Sequence, residues 1–316
     1  MTRYLLADIG GTNARFALMD GGAVGPIEVM AVADHARSGD AVAVFLDRHG
    51  AVGSIAGAVI GVAGPVEDGR VDFTNSPWVV DAAELRAAFG FPQVRVVNDF
   101  QATARSLPHL GSGDLFGIGG GAARDDAPRV ALGAGTGLGM ACLVPGRPPI
   151  TLATEGGHAT LAASDGRQDR VIAHLRTRFA HVSAERVLSG DGLVNLYGAI
   201  AAVDGRQVPP RDPAQITEAG RAGTCPVARE TLDMFCAILG TVAGDLALTF
   251  GARGGVYIAG GIVPRFVDHL AASTFRAQFE AKGRMGSYLA AIPAWVILKP
   301  DPAFIGLAAM AHDTPA

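Results

Sequence analysis

The first residues that could do chemistry follow an apolar run near the start of the chain. The run ends at Ala7, and after it come Asp8, Ile9, Gly10, Gly11 and Thr12. Glycines let backbone N–H groups close on an anion, and a carboxylate beside bound phosphates can hold Mg²⁺. The same residues also fit the turn of an ordinary β-hairpin. Phosphate binding and a plain turn therefore both stay open at this point.

A second glycine loop begins directly after an apolar run in the middle of the chain. Four glycines fall in the seven residues 133–139, among them Gly133, Gly135 and Gly137, with Thr136 between the last two. Each glycine costs about 1 kcal/mol of backbone entropy relative to alanine, so packing alone explains this density poorly. The spacing does not fit a dinucleotide-binding loop, and a strand rather than a helix is predicted to follow. Together the two loops predict a pair of β-hairpins that grip a polyphosphate.

A third glycine pair, Gly260 and Gly261, follows the apolar run 256–259 and precedes Pro264. Glycines at a strand end and a proline at a helix start predict a strand–loop–helix junction. Such a junction fits against a flat ring such as adenine. A plain connection between strand and helix is the alternative.

Polar residues that suit a sugar alcohol occur at three further places. Asn98 and Asp99 stand where a strand passes into a helix. Asparagine and aspartate both favour helix N-caps, but a carboxylate at this place could also act as a general base toward a hydroxyl. Glu155 and His158 follow another strand, and Glu185 fits the first turn of a helix. Carboxylates accept hydrogen bonds from vicinal hydroxyls, and the set lacks the ligand clustering of a metal centre.

Composition narrows the class of protein. The 316 residues are 49% apolar and 18% charged, with a net charge of −4, which indicates a globular chain. Only two lysines occur, Lys282 and Lys299, so a Walker A loop and a protein-kinase site are excluded. The absence of a basic run argues against nucleic-acid binding.

Localisation follows from the cysteines and the apolar segments. The three cysteines are scattered, which favours a reducing cytosol. Asp8 interrupts the first apolar run, so no secretory signal is expected. The longest charge-poor helical stretch, 234–244, is too short to cross a bilayer. We therefore expect a soluble cytoplasmic protein that makes no contact with a membrane.

Alternating strands and helices must position these residues. Strands are predicted at 4–8, 14–19, 27–31, 56–62 and 94–97, and helices at 40–48 and 82–89. The first three strands should form an antiparallel meander and the later two should be parallel. After a glycine-rich passage at 110–128, the strand–loop–strand pattern restarts at 129–144, as in a duplicated architecture. Helices are predicted at 167–179 and around 232–246, where Gly240 and Gly244 would permit close packing, and an apolar helix at 304–311 could fold back on the first part.

Taken in order, these motifs resemble the bacterial ATP-dependent glucokinases of the hexokinase and actin-like ATPase superfamily. The resemblance runs nearly end to end, through residues 8–15, 74–78, 98–100, 133–139, 155–158, 185–190 and 258–265. It implies an α/β, two-domain actin-like ATPase (ribonuclease H-like) fold with an interdomain cleft. The smaller domain would comprise 1–109 plus 300–316, and the larger would comprise 110–299. It also implies homodimers.

The resemblance also implies roles for individual residues. Asp99 would be the base for the 6-hydroxyl of glucose, and Asn98, Glu155, His158 and Glu185 would hold the other hydroxyls. Asp8 would position Mg²⁺. The ATP phosphates would lie against 7–12 and against Gly133, Gly135, Thr136 and Gly137, with the adenosine against Gly260 and Gly261. Relatives often have glycine in place of Ala7, which still permits a close approach.

The predicted function is transfer of a phosphoryl group from MgATP to the 6-hydroxyl of D-glucose. A kinase for another hexose, or for several, is the alternative within the enzyme class. A non-catalytic sugar sensor on the same scaffold is the alternative outside it. An actin-like filament protein would lack the sugar-binding set and is disfavoured.

Overall fold

The computed structural model describes residues 2–73 and 76–313. Its backbone contacts divide the chain into two units. Unit 1 comprises Met1–Leu110, Gly146–Ala153 and Lys299–Ala316, and unit 2 comprises Gly111–Pro145 and Thr154–Leu298. Thr74 and Asn75, in the predicted motif 74–78, lie outside the described residues.

Strands and helices alternate along most of the chain. The strands are β1 (Arg3–Ile9), β2 (Asn13–Asp20), β3 (Ala23–Val24), β4 (Glu28–Ala31), β5 (Gly57–Val62), β6 (Arg70–Asp72), β7 (Val79–Asp81), β8 (Val94–Asn98), β9 (Leu115–Gly117), β10 (Arg129–Ala134), β11 (Leu138–Val144), β12 (Ile150–Thr154), β13 (Val256–Ala259) and β14 (Ala294–Ile297). The helices are α1 (Ser38–Arg48), α2 (Ala82–Phe89), α3 (Asp99–Ser106), α4 (Gly166–Arg176), α5 (Gly190–Val203), α6 (Pro213–Ala222), α7 (Pro226–Phe250), α8 (Val267–Ala272), α9 (Phe275–Glu280), α10 (Gly286–Ala290) and α11 (Ala303–Ala311).

The sheet of unit 1 has the order β3-β2-β1-β5-β8, and β4 also pairs with β2. β1 pairs antiparallel with β2, which pairs antiparallel with β4, and β1, β5 and β8 are mutually parallel. The predicted meander and the predicted parallel pair are therefore confirmed. All six residues of β5 are buried, as is typical of a central parallel strand covered on both faces.

Helix α11 packs on this sheet together with α3, which confirms the predicted return of the C-terminal helix. Its apolar side chains form a buried cluster with Leu6, Val59 and Val97 of the sheet. A Cβ added to Gly306 would lie only 1.8 Å from the carbonyl oxygen of Ala102. The two helices therefore pack backbone against backbone, and glycine is required at 306.

The sheet of unit 2 repeats the central pattern of unit 1. β10 pairs antiparallel with β11 and parallel with β13, and β13 pairs parallel with β14. The order β11-β10-β13-β14 thus matches β2-β1-β5-β8, as expected from the restart of the sequence pattern at 129. In both units the first hairpin carries a glycine motif, and in unit 2 the third glycine pair directly follows the parallel strand β13.

Helix α7 is longer than the sequence indicated. The predicted helix around 232–246 runs for 25 residues, so the expectation that its charge-poor stretch 234–244 is too short to cross a bilayer underestimated its length; its charged residues lie on its accessible side. Gly240 and Gly244 face the carbonyls of Phe275 and Phe279, which an added Cβ would approach to 2.2 and 2.5 Å. The predicted close packing is confirmed.

The length of α7 bears on the membrane prediction. Within the described part of the chain, α7 is the one helix that is long and apolar enough to cross a bilayer, by length and composition alone. Its most apolar window is 67% buried inside the protein. A helix at the core of a globular unit is expected to have this composition.

Candidate active site

Two carboxylates stand at the same edge of the sheet in unit 1. Asp8 is near the carboxyl end of β1, and Asp99 directly follows β8. β5 lies between these strands, with Val62 opposite both Ile9 and Asn98. Since neighbouring strands are about 4.8 Å apart, the backbones of the two aspartates are separated by about 10 Å. The carboxyl edge of a parallel sheet is where ligands bind in open α/β folds.

Asp8 is partly buried and lies in a charged cluster. Its Oδ2 lies 3.7 Å from Nη1 of Arg15, whose Nε lies 3.3 Å from Oδ1 of Asp301. Burial raises the pKa of Asp8 to about 6, against the attraction of Arg15, and the charge of Asp301 adds to the rise. Asp301 has a φ of 46°, in the left-handed region that is uncommon for residues other than glycine. Neither Arg15 nor Asp301 received a role from the sequence.

The turn that follows Asp8 consists of Gly10, Gly11 and Thr12. The Gly10 N–H donates to the Asn13 carbonyl (2.9 Å), and the Val32 N–H donates to the Thr12 carbonyl (2.9 Å). Gly11 and Thr12 line a cavity of about 570 Å³ together with 32–36 and 76–77. The turn is therefore accessible to a ligand.

Ala7 and Ile9, on either side of Asp8, are 0% and 1% exposed. Their side chains belong to the core of unit 1. Any contact that these two residues make with a phosphate is therefore limited to their backbone groups.

Asn98 is the N-cap of α3, as the alternative interpretation held. Its Oδ1 accepts from the N–H groups of Phe100 (2.9 Å) and Gln101 (3.3 Å), and its Nδ2 donates to the Gly64 carbonyl (3.1 Å). The Gln101 side chain accepts from the Asn98 N–H in return (3.1 Å), which completes a capping box. The spacing of Asn98 and Gln101 is a sequence signal for this box, and it was missed.

Asp99 is the first residue of α3, directly after this cap. One of its carboxylate oxygens accepts from the Phe100 N–H at 2.8 Å. The positive end of the helix dipole favours a negative charge at this position. The cap and the dipole together hold an anionic carboxylate at the sheet edge.

In unit 2 the second glycine motif forms a tight hairpin rather than a long loop. β10 extends to Ala134 and β11 begins at Leu138, so Gly133 lies within a strand. Only Gly135, Thr136 and Gly137 form the turn, which is closed by the Gly135 N–H donating to the Gly137 carbonyl at 2.8 Å. The predicted loop of seven residues is therefore too long, because cross-strand pairing continues through its ends.

The third glycine pair lies beside this hairpin, because β13 is the parallel neighbour of β10. Gly260 has a φ of 87°, and an added Cβ would lie 2.3 Å from the Ala134 carbonyl oxygen. Glycine is thus required at 260 by the fold itself.

Gly135 and Gly261 differ from Gly260. A Cβ added to either would meet no atom within 4 Å, and neither has a positive φ. Nothing in the fold demands glycine at these two positions. The space above their backbone is open, and a side chain would partly fill it. Glycine keeps this space free, so that a ligand can approach the backbone closely.

Helix α5 begins against the same turn, a feature that the sequence did not reveal. Its first N–H, that of Gly190, donates to the Gly135 carbonyl at 2.9 Å. The positive end of a 14-residue helix therefore lies next to the open glycine turn. Helix N-termini attract anions, so this arrangement supplies positive potential where no lysine is present.

The structure brings Glu155, His158 and Glu185 together in unit 2. His158 Nε2 lies 3.8 Å from Oε2 of Glu155, and its Nδ1 lies 3.9 Å from Oε1 of Glu185. The Glu185 N–H donates to the Gly157 carbonyl (2.9 Å), which joins the two segments that carry them. Glu185 Oε2 accepts from the Leu138 N–H at 2.9 Å. Glu185 thus connects the acceptor cluster to the glycine hairpin.

The predicted residues therefore form two sets. Unit 1 holds Asp8, its turn, Asn98 and Asp99, and unit 2 holds the glycine hairpin, Gly260, Gly261 and the three acceptors. Across the described residues 2–73 and 76–313, no group of three or more His, Cys, Asp or Glu side chains could hold a metal ion. A single carboxylate beside a glycine turn, as at Asp8, is a ligand that Mg²⁺ can use together with the phosphates of its nucleotide.

Comparison with known proteins identifies the family. The family model for glucokinase matches residues 5–314. A glucokinase from Paramagnetospirillum magneticum is 50% identical over 98% of this chain and 97% of its own length. The crystal structure of a glucokinase from an Antarctic psychrotroph is 38% identical and superposes with a TM-score of 0.89 over 99% of this chain and 100% of that one.

A more distant structure shares the fold. A ROK family glucokinase from Streptomyces griseus, solved with glucose and AMPPNP, is 21% identical and has a TM-score of 0.66 over 98% of both chains. The predicted two-domain actin-like ATPase fold is confirmed by these neighbours. The sheets, the two glycine hairpins and the full-length match agree, and the chain belongs to the glucokinase family, whose members are ATP-dependent sugar kinases.

Proposed function

We propose that this chain transfers the γ-phosphoryl group of MgATP to the 6-hydroxyl of D-glucose and releases glucose 6-phosphate and ADP. The observation that carries the proposal is the pair of aspartates at one sheet edge. Burial raises the pKa of Asp8, whereas Asp99 is the first residue of a helix whose dipole favours a negative charge there. Two carboxylates in such different surroundings suit two different tasks.

Asp99 is the general base of the proposed reaction. Its carboxylate orients the 6-hydroxyl and accepts the proton as the oxygen bonds to the γ-phosphorus and the bond to ADP breaks. In phosphoryl transfer the base acts mainly by positioning, because the transition state is loose. The capping box of Asn98 and Gln101 fixes the backbone that carries Asp99.

Glu155, His158 and Glu185 bind the remaining sugar hydroxyls in this proposal. The side chains of Glu155 and His158 are 53% and 60% exposed, and that of Glu185 is 31% exposed, so all three can reach a ligand. The carboxylate oxygens of Glu155 and Glu185 and a ring nitrogen of His158 accept hydrogen bonds from hydroxyl donors, and the bonds to the carboxylates are strong because they are charge-assisted. Because Glu185 Oε2 already accepts a hydrogen bond from the Leu138 N–H, Oε1 is the oxygen that would bind the sugar.

The phosphates and the adenosine are held by backbone groups. Gly135 and Gly261 leave open space for them, and the N-terminus of α5 stabilises negative charge at the Gly135 turn. The turn at Gly10–Thr12 is accessible from the neighbouring cavity. Asp8 would hold Mg²⁺, which neutralises charge on the phosphates when it is bound. Arg15 and Asp301 keep the Asp8 carboxylate in place.

We also propose that the enzyme is cytoplasmic and acts as a homodimer. The three cysteines are free thiols, which agrees with a reducing compartment. The homodimer is our inference from the resemblance to the family. Size-exclusion chromatography with light scattering measures the assembly directly, and a monomer at micromolar concentration would contradict it.

The experiment that tests the function compares ATP-dependent phosphorylation of glucose, mannose, fructose and N-acetylglucosamine, with ATP hydrolysis in the absence of sugar as the control. We expect turnover largely confined to glucose. A preference for another hexose would refute the substrate and keep the mechanism. Sugar binding without transfer to any of them would refute the kinase.

A single substitution tests the sugar site. Glu155→Gln should raise the KM for glucose by about tenfold or more, the value of one charge-assisted hydrogen bond, and leave the KM for ATP nearly unchanged. The Gln variant keeps the size of the side chain and removes its charge. Equal changes in the two KM values would show that Glu155 does not bind the sugar.

A further inference from the structure

A second cavity in unit 1 lies far from the two aspartates. It has a volume of about 410 Å³ and opens among the first residues of β5 and β8, the end of α11 and the prolines at 148 and 149. All of its lining residues belong to unit 1. A volume of this size accommodates a small organic ligand.

The polar side of this cavity carries Arg95 and Asp313, and a second arginine, Arg105, bonds to Asp313 without lining the cavity. Asp313 lines the cavity; its Oδ1 accepts from Nη2 of Arg105 at 2.8 Å, and its Oδ2 lies 3.8 Å from Nη1 of Arg95. Arg105 is buried, and its Nε has no hydrogen-bond partner among the described residues. Two guanidinium groups next to one carboxylate leave a net positive charge around Asp313.

The remaining wall is apolar. Val59 and Met310 are buried in the cluster between the sheet and α11, and the rings of Pro148 and Pro149 complete the lining. The cavity thus combines an apolar surface with a few polar groups at one side, as small-molecule sites do. A ligand that matches it carries one anionic group on an apolar body.

The cavity is distinct from the catalytic edge. Arg95 stands near the start of β8, and Asp99 follows the end of the same strand. At a rise of about 3.3 Å per residue, the two positions are about 13 Å apart along the strand. A ligand in this cavity therefore leaves the proposed sugar and phosphate sites open.

We propose that this cavity is a binding site for a small organic anion, a phosphate monoester or carboxylate attached to an apolar group. The anion pairs with Arg95, whose positive charge is only partly neutralised because Asp313 also bonds to Arg105. The apolar group packs against Val59, Met310 and the two prolines. The proposal concerns unit 1 alone and does not depend on the kinase activity.

Phenyl phosphate is a suitable probe, because it joins one phosphate to one apolar ring. We expect isothermal titration calorimetry to show one site on the full-length protein, with inorganic phosphate binding at least about fivefold more weakly because it lacks the ring. Saturating glucose should not change the affinity. Competition with glucose would place the probe in the sugar site and overturn the proposal, as would absent binding or equal affinity for inorganic phosphate.

Two charge substitutions should act in opposite directions. Arg95→Gln removes the exposed cation and should weaken binding of phenyl phosphate about fivefold or more. Asp313→Asn removes the competing anion and should tighten this binding about threefold. Both effects follow from electrostatic complementarity between the site and the probe. Arg86→Gln, at an exposed arginine of α2, is the matched control and should change nothing. If Asp313→Asn fails to fold, the contrast between Arg95→Gln and Arg86→Gln decides. Equal effects of those two variants would refute the site.

Discussion

The partly buried carboxylate of Asp8 should destabilise the free protein at neutral pH. Its pKa is raised from 3.8 to about 6, chiefly by burial. A carboxyl group whose pKa is higher in the folded state binds more protons when folded, so the free energy of unfolding falls as the pH rises from about 4 to about 6. Asp8→Asn replaces the ionising group with a neutral one of similar size and should abolish this loss.

The magnitude follows from the size of the shift. A rise from 3.8 to about 6 is about two pKa units, and at 1.36 kcal/mol per unit it costs about 3 kcal/mol once Asp8 is ionised. Asp8→Asn should therefore raise the free energy of unfolding by up to about 3 kcal/mol at pH 7.5 and by almost nothing near pH 4. The same variant should lose most of its kinase turnover, because the proposed Mg²⁺ ligand is gone.

Urea unfolding of both proteins between pH 4 and pH 7.5, without Mg²⁺ or nucleotide, measures this difference. Asp47→Asn removes an exposed carboxylate from α1 of the same unit and is the control, with no gain expected. A difference between Asp8→Asn and the natural protein that does not change with pH would refute the reasoning. A loss of stability at pH 7.5 would also refute it.

Two further predictions concern the glycine pair at 260–261 and the three cysteines. Gly260→Ala should destabilise the protein by about 3 kcal/mol or more, since its Cβ would lie 2.3 Å from a carbonyl oxygen at a positive φ. Gly261→Ala should keep the melting temperature and raise only the KM for ATP; a similar loss of stability in both variants, measured by thermal unfolding, would contradict this. Burial raises the pKa of Cys142 to about 11 and that of Cys236 to about 12. The pKa of Cys225 is lowered: burial acts to raise it, but hydrogen bonds from backbone N–H groups at the start of α7 outweigh that effect. A thiol reagent at pH 7.5 should therefore label Cys225 alone in the folded protein and all three cysteines in urea, and rapid labelling of more than one folded thiol would contradict the prediction.

Local patterns in the sequence were sufficient for the central elements of both sheets. Apolar runs broken by glycine predicted the two hairpins. The helix that ends before Gly90 and the apolar helix at the C-terminal end were also predicted where the structure has them. These features depend on residues close together in the chain. The length of α7 was underestimated because charged residues on its accessible side interrupt the apolar run without ending the helix.

Features that depend on contacts between distant residues could not be predicted. Gly260 and Gly261 are identical in the sequence, yet one is required by packing and the other faces open space. Arg15 and Asp301 meet only because the chain returns to unit 1 after residue 298. The start of α5 against Gly135 likewise joins segments far apart in the chain. The candidate residues were found by type and motif, but their electrostatic surroundings came from the structure.

The role of Asp99 is the central claim, and one variant tests it most directly. Asp99→Asn keeps the size of the side chain and the start of α3 but removes the base. Calorimetric titration should show that glucose still binds, while a coupled assay of ADP release shows turnover reduced at least about 100-fold, the lower range for loss of a general base. Turnover close to that of the natural protein, with glucose binding intact, would contradict the account.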